Sequence, residues 1–297
     1  PGTIGQVWKN HHERFFNFIN KNSYQDVLEI GGSNGNLLNI FLSQDKNFNW
    51  TILEPALSRN FTDSRVYPVK DFFENFKTEK QYDTIIHSHV FEHIYEPIEF
   101  LKKINSLLTP SGYQYLSIPN LTKWMENNFC SSLSFEHTFF VDENVIEYLL
   151  NKTGFKIVDK HVDDHSIFIK AMKVEYSIDT IPNFSYVENI FKNYISRLEQ
   201  EVLSIKHSLG LEKYYLFGGT VNSQFLLKMG LDESNLINLL DNDPLKHNKR
   251  LYGTKVLVKS PSILKDTKSP NVIVRSGPYT EEIKNGILQI NPTVKFL

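Results

Sequence analysis

Residues 26–41 read DVLEIGGSNGNLLNIF, and the order of residue types within them decides the fold. Asp26–Ile30 is an apolar run of strand length. Gly31, Gly32 and Gly35 interrupt it, and Leu37, Leu38 and Phe41 then recur at helical spacing. Strand, glycine turn and helix in that order make a cradle for a nucleotide or its phosphates: glycine lets a ligand approach the backbone, and the helix N-terminus offers free N–H groups.

Outward from this unit the chain alternates. Strands are expected at 50–55 (WTILEP), within 65–73 (RVYPVKDFF), at 81–89 (QYDTIIHSH) and at 113–120 (YQYLSIPN). A helix is expected at 96–112, stopped by Pro110 and Gly112, and two closing antiparallel strands at 154–162 and 166–174. Such alternation predicts an α/β fold, a mostly parallel sheet with helices on both faces. Residues 177–185 read as a proline-containing linker and 186–210 as a long helix ending on Gly210. Alternation then restarts with KYYLFGG (213–219), SQFLLKMG (223–230), NLINLLDNDP (235–244), SPNVIVRSG (269–277) and EEIKNGILQ (281–289). The expected domains are 1–175, a linker with its helix at 176–210, and a smaller α/β domain at 211–297.

Composition narrows the function. Of 297 residues, 34 are acidic and 32 basic, and no basic stripe suggests nucleic acid. The single cysteine, Cys130, excludes an internal disulfide and a cysteine-built zinc cluster and points to a reducing, cytoplasmic setting. No apolar run approaches the ~18 residues of a membrane span, and no signal-peptide pattern is seen at the N-terminus.

The glycine turn does not fit GxGxxG, because Ser33 and Asn36 stand at its third and sixth positions. It fits ExGxxxG through Glu29, Gly31 and Gly35. Glu54, before Pro55, ends the second strand, where a carboxylate can accept both hydroxyls of a ribose. Asp71 and Phe72 end the third, where an acid and an aromatic face can frame an adenine. Three such positions at successive strand ends follow the rule that open α/β sheets bind ligands at that edge. His87, Ser88 and His89, with Gly32 and Ser33, complete the expected cofactor set.

These residues resemble the class I S-adenosylmethionine-dependent methyltransferases. VLEIGGSNGNLL resembles their first motif, ILEP their second, and YDTIIHSHVFEHI the end of their fourth strand. The resemblance implies a Rossmann-like domain with a seven-stranded sheet, S-adenosyl-L-methionine as cofactor and S-adenosyl-L-homocysteine as product. The glycine loop would meet the methionine moiety and Glu54 the ribose.

SLSFEHTFFVDENVIEYLL (132–150) sets Glu136 and His137 among aromatics just past the fifth strand, where an acceptor would sit. Histidine suits a general base because its pKa lies near ~6.5. His93 is the second candidate. The segment is similar to the EH motif of the sugar C-methyltransferases, in which the histidine or its neighbouring glutamate is the base beside a keto-sugar nucleotide. YYLFGGTVNSQFLLKMGL and LLDNDPLKHNKRLYGTKVLV resemble that group's C-terminal Rossmann-like domain. The group's N-terminal cysteine-rich zinc domain has no counterpart here. WKNHHERFFNFI (8–19) takes its place, an expected lid helix with His11 and His12 as candidate ligand contacts. The implied partner is a small molecule, a nucleotide-linked sugar or related metabolite, with carbon, oxygen or nitrogen as acceptor, and the protein would be a monomer or homodimer.

His89–His93 also spells HxxEH, a zinc-protease pattern, but that chemistry needs both histidines on one helix and a third ligand. No metal is therefore expected. A nicotinamide-dependent oxidoreductase and a non-catalytic nucleotide-binding protein stay open as readings on the same fold. Gly218, Gly219 and Asp241 echo the first glycine turn and could hold a nucleotide moiety or simply buttress an acceptor pocket.

Overall fold

The structure is a computed structural model that describes residues 5–21, 24–44, 47–134, 136–175, 181 and 183–297. It divides into two compact units. One holds Gln6–Leu121 and Phe135–Asn183, and the other takes Thr122–Ser134 and Phe184–Leu297.

The first unit begins with α1 (Gln6–Ile19), β1 (Asp26–Ile30), α2 (Asn36–Leu42), β2 (Asn49–Leu53) and β3 (Val66–Val69). It continues with β4 (Tyr82–Ser88), α3 (Pro97–Leu107) and β5 (Leu108–Pro119). After α4 (Leu121–Glu126) come α5 (Glu143–Lys152), β6 (Phe155–Val162) and β7 (Ser166–Lys173). Seven strands form one sheet in the order β3-β2-β1-β4-β5-β7-β6. Only β7 runs antiparallel to its neighbours β5 and β6; the other pairs are parallel. Parallel strands covered on both faces need apolar residues at almost every position. β1 and β2 meet this condition, with four of five residues buried in each.

One sheet face carries Val27, Trp50, Ile52, Ile86 and Phe168, packed against Phe15 and Phe16 of α1 and Phe41 of α2. His11, Phe15 and Ile19 lie four residues apart, so one stripe of α1 faces the sheet. α5 starts where Asp142 accepts from the Val145 N–H at 2.9 Å, an N-cap worth ~1 kcal/mol.

The expected helix over 96–112 ends early. α3 stops at Leu107, and Leu108 turns extended to pair with Tyr82. Thr109 precedes Pro110, and a residue in that position is driven out of the helical region by the proline ring. Ladder pairing then resumes from Thr84 and Tyr113 after a register shift.

The second unit holds α6 (Ser185–Leu209), β8 (Tyr214–Phe217), α7 (Val221–Lys228), β9 (Leu236–Leu240) and β10 (Val258–Lys259). It closes with β11 (Asn271–Val274), α8 (Thr280–Ile290) and β12 (Lys295–Phe296). Its five strands are all parallel, in the order β10-β9-β8-β11-β12, the same permutation as the first five strands of the other sheet. Alternation along β8 splits its core in two: Tyr214 and Leu216 pack with Val202, Ile205 and Leu209 of α6, while Tyr215 and Phe217 pack with Ile287 of α8.

Two boundaries differ from the sequence reading. Residues 122–134, read as part of 1–175, pack with the second unit, where Tyr194 Oη donates to the Phe129 carbonyl and Arg197 reaches Asn128 and Met125. The helix read as a connector is part of that same core. The linker at 177–185 falls mostly outside the described residues.

Candidate active site

The glycine turn leaves β1 at Gly31, whose N–H donates to the Leu53 carbonyl and so follows the β1–β2 ladder one residue past its end. Gly31 has φ +71°, and a Cβ there would lie 2.3 Å from Val90 Cγ2. Gly35, at φ +76°, precedes α2 with no room for a side chain beside Phe61. Only glycine meets both conditions without strain.

Glu54 secures the same turn. Its Oε2 accepts from the Ser33 N–H at 3.1 Å and its Oε1 from the Ala56 N–H at 2.9 Å, which aligns the carboxylate beside the loop. Pro55 follows and leads the chain away. At the end of the third strand, Asp71 accepts from the Phe72 N–H at 2.8 Å, and the Phe72 ring stands 59% exposed. These residues therefore converge at one sheet edge, as ligand binding there requires.

Two of the expected cofactor contacts lie deeper. Glu29 is buried, accepts from Trp50 Nε1 at 2.8 Å, and lies beneath Gly32. Burial, with Glu54 nearby, pushes its carboxyl up to about 8 against the Trp50 hydrogen bond. His87 is wholly buried beside Gln114 and the Phe100 ring of α3, and burial pushes it down to about 4. Strand alternation explains this: His87 faces the α3 side, apart from Ser88, which hydrogen-bonds His11.

His89 leaves β4 at φ +51°, a left-handed conformation that a non-glycine residue holds only when its surroundings enforce it. The next residues form a single 3-10 turn, Phe91–His93, so His89 and His93 share no continuous helix. HxxEH is not a helical zinc motif here.

His93 and His137 come together with ring centroids 5.3 Å apart. His93 Nδ1 donates to the carbonyl of Glu136 at 2.8 Å, while the Glu136 side chain is on the exposed surface. The Glu136 carboxylate also acts electrostatically on the His137 ring. His137 is half-buried, and its Nδ1 is shielded from solvent and finds no hydrogen-bond partner among the described residues. Burial holds its pKa below the usual histidine value, partly opposed by the Glu92 carboxylate. Phe139 packs edge-on against Phe91 at 5.6 Å and helps close the space off from water.

The sequence reading passed over Glu92 except as part of the zinc pattern. It is 1% exposed and reaches His89 Nδ1 at 3.3 Å and His93 Nε2 at 3.9 Å. Burial alone would raise its pKa; the neighbouring imidazole of His89 outweighs that and holds it low. An anionic carboxylate under three imidazoles can orient them and stabilise a positive charge on any one. Only the step from a residue's neighbours in sequence to its neighbours in space reveals this. A cavity of about 680 Å³ lies beside His93, lined in part by Phe73, Tyr95, Glu96, Phe100 and Lys103.

In the second unit Asp241 ends β9 and accepts from the Gly219 N–H at 2.8 Å and from Lys246 Nζ at 3.0 Å. That repeats the Glu54–Ser33 relationship. Cys130 is buried and unpaired, and burial raises its thiol to about 12. Among the described residues no helix is long and apolar enough to cross a membrane.

Comparison with known proteins bears on these observations. Residues 6–160, just over half of the chain, match a family described as "Methyltransferase domain". The ubiquinone biosynthesis O-methyltransferase of Rickettsia typhi is 24% identical over 238 residues, covering 75% of this chain and 87% of that protein. Among solved structures, a Burkholderia thailandensis 1,6-didemethyltoxoflavin-N1-methyltransferase, with 1,6-didemethyltoxoflavin and S-adenosylhomocysteine bound, is 17% identical. It covers 57% of this chain and 82% of its own, with a TM-score of 0.45. The N-methyltransferase NodS of Bradyrhizobium japonicum is 14% identical over 57% of this chain and 97% of its own, with a TM-score of 0.44.

Proposed function

From the premise that the chain belongs to the methyltransferase-domain family, as a class I S-adenosylmethionine-dependent methyltransferase with a Rossmann-like sheet, we propose that it methylates a small, nucleotide-linked sugar or related metabolite. His137 is the general base in this reading. The carrying observation is the His93–His137 pair over buried Glu92, with a solvent-shielded ring nitrogen on His137.

The chemistry asked of the protein is limited. The cofactor's sulfonium supplies the methyl group and leaves as S-adenosylhomocysteine. The chain must hold the acceptor in line and take its proton. A His137 nitrogen that is neutral at pH 7 can take that proton, and Glu92 would stabilise the imidazolium that results. The glycine turn with Ser33 and Glu54 would hold the methionine and ribose portions, and Asp71 with Phe72 the adenine. His89 and Ser88 would border the sulfonium end.

The nucleotide-linked sugar is supported by the resemblance to the sugar C-methyltransferases and by the second parallel sheet. We read the second unit, with its five-stranded parallel sheet and α6, as a smaller Rossmann-like domain whose Gly218, Gly219 and Asp241 would take a nucleotide moiety. The lone buried cysteine fits a reducing, cytoplasmic enzyme, monomeric or homodimeric. The relative from Rickettsia typhi favours a second reading, in which the acceptor atom is a hydroxyl oxygen and His137 removes the hydroxyl proton.

Incubation with S-adenosylmethionine and a panel of nucleotide-linked sugars and hydroxylated aromatics, read as a mass gain of one methyl, tests both. A sugar product supports the first reading. Methylation confined to phenolic hydroxyls selects the second, and no product with either class removes both acceptors. In parallel, S-adenosylhomocysteine rather than NAD should raise the melting temperature. A rise with NAD alone would return the oxidoreductase reading.

A further inference from the structure

A second histidine cluster shares His89 with the cofactor edge described above and brings in two histidines, His11 and His165, that the reaction does not use. His11 of α1, His89 at the end of β4 and His165 in the turn before β7 each bring a ring nitrogen within 4.8 Å of the other two. They surround one atom. The Ser166 hydroxyl lies 3.2 Å from His11 Nδ1, 2.9 Å from His89 Nε2 and 2.7 Å from His165 Nδ1.

We propose that His11, His89 and His165 form a binding site for a divalent transition-metal ion of the zinc class, with the Ser166 hydroxyl or a water as fourth ligand. The ion would tie α1 to the sheet.

Four features support this. The ligand type is right, because imidazole suits zinc and its neighbours while carboxylate-only sites suit magnesium or calcium. The distances are close: three nitrogens already 2.7–3.2 Å from a shared centre need only turn inward to the ~2.0–2.1 Å of a zinc–nitrogen bond as the hydroxyl swings aside. An outer shell is present, since Glu92 Oε1 lies 3.3 Å from His89 Nδ1, the ring nitrogen facing away from the centre. A carboxylate behind a histidine ligand fixes its tautomer and raises its basicity. The surroundings also exclude water: His11 is 0% and His165 7% exposed, and the Trp8 ring packs edge-on against all three imidazoles at 4.9–5.4 Å.

The backbone is built to hold these positions. His89 adopts its left-handed φ of +51° at the cluster. Asp163 Oδ1 accepts from the N–H groups of His165 and Ser166, each at 2.8 Å, which shapes the turn that delivers both side chains. Arg14, three residues after His11, pairs with Asp163 at 2.9 Å, so α1 and this turn are already joined on one side.

The test uses the full chain, stripped with a chelator and titrated with Co²⁺ and then Zn²⁺. One equivalent of Co²⁺ should bind with the intense visible absorption of a four-coordinate site, and Zn²⁺ should displace it. His11→Ala/His165→Ala should weaken binding by more than ~100-fold, and Glu92→Gln by about 10–100-fold through the outer shell. His93→Ala/His137→Ala should leave the Co²⁺ spectrum unchanged, which separates this cluster from the Glu92–His93–His137 group. If the first double variant does not fold, His165→Gln with the wild-type spectrum decides. No stoichiometric Co²⁺ binding to the wild type, binding that survives loss of His11 and His165, or binding lost with His93 and His137 overturns the proposal.

Discussion

Glu29 of β1 and Trp50 of β2 meet diagonally across the ladder, the indole Nε1 donating to the carboxyl Oε2 at 2.8 Å with both side chains out of solvent. An acid so placed is held in its protonated form, because burial penalises the carboxylate more than one hydrogen bond repays. Its folded-state value of about 8 stands above the ordinary 4.5. The folded protein therefore keeps a proton that the unfolded chain releases above pH 4.5. Stability should fall as pH rises from there to about 8 and then level off, by at most roughly 1.4 kcal/mol per pH unit. Glu29→Gln removes that slope. Melting curves of the cofactor-free protein between pH 5 and 9 check it, and an identical slope in the variant would sink the assignment.

Glu54 is held by two backbone N–H groups and presents its carboxylate beside the glycine turn. Glu54→Ala should weaken S-adenosylhomocysteine by ~1.5–3 kcal/mol, the worth of hydrogen bonds to a charged group. Calorimetry reads this directly. Unchanged affinity would remove the ribose assignment.

Gly31→Ala adds a methyl 2.3 Å from Val90 Cγ2 at a φ of +71°. The backbone conformation alone costs ~1–2 kcal/mol for a residue with a Cβ. The variant should melt lower and bind cofactor poorly. Adding Val90→Ala should restore the part due to the clash and leave the part due to φ. If the second change restores nothing, the contact with Val90 is not what demands glycine.

His137→Ala should lower turnover by ~10²–10⁴, the usual worth of a general base, with S-adenosylhomocysteine affinity nearly unchanged. A base with its pKa depressed below 6.5 is already free of its proton at pH 7. The rate should therefore rise with pH only on the acid side and be flat from neutrality upward. A variant as fast as wild type at every pH would move the proton transfer elsewhere.

The main elements of both sheets were legible because each rests on contiguous residues. The apolar run of β1, the glycines after it and the acids at successive strand ends carry their meaning within a few positions of one another, and a parallel sheet converts that local order into a shared edge. β10 and β12 escaped notice because two residues show no alternation. Likewise, α3 was read past its end because Pro110 and Gly112 look like stop signals, whereas Leu108 is already taken by pairing with Tyr82.

Other features had no sequence signal at all. That Glu29 turns inward to Trp50, that the Glu136 carbonyl receives His93, and that His87 faces α3 depend on which side of a strand or loop each group leaves. The histidines around Ser166 come from segments as far as 155 residues from it in sequence. Local order can state which residue ends a strand. Which side chains from distant segments share one buried point follows only from the packing of α1 onto the sheet that holds β4 and β7, where burial forces polar groups to find one another.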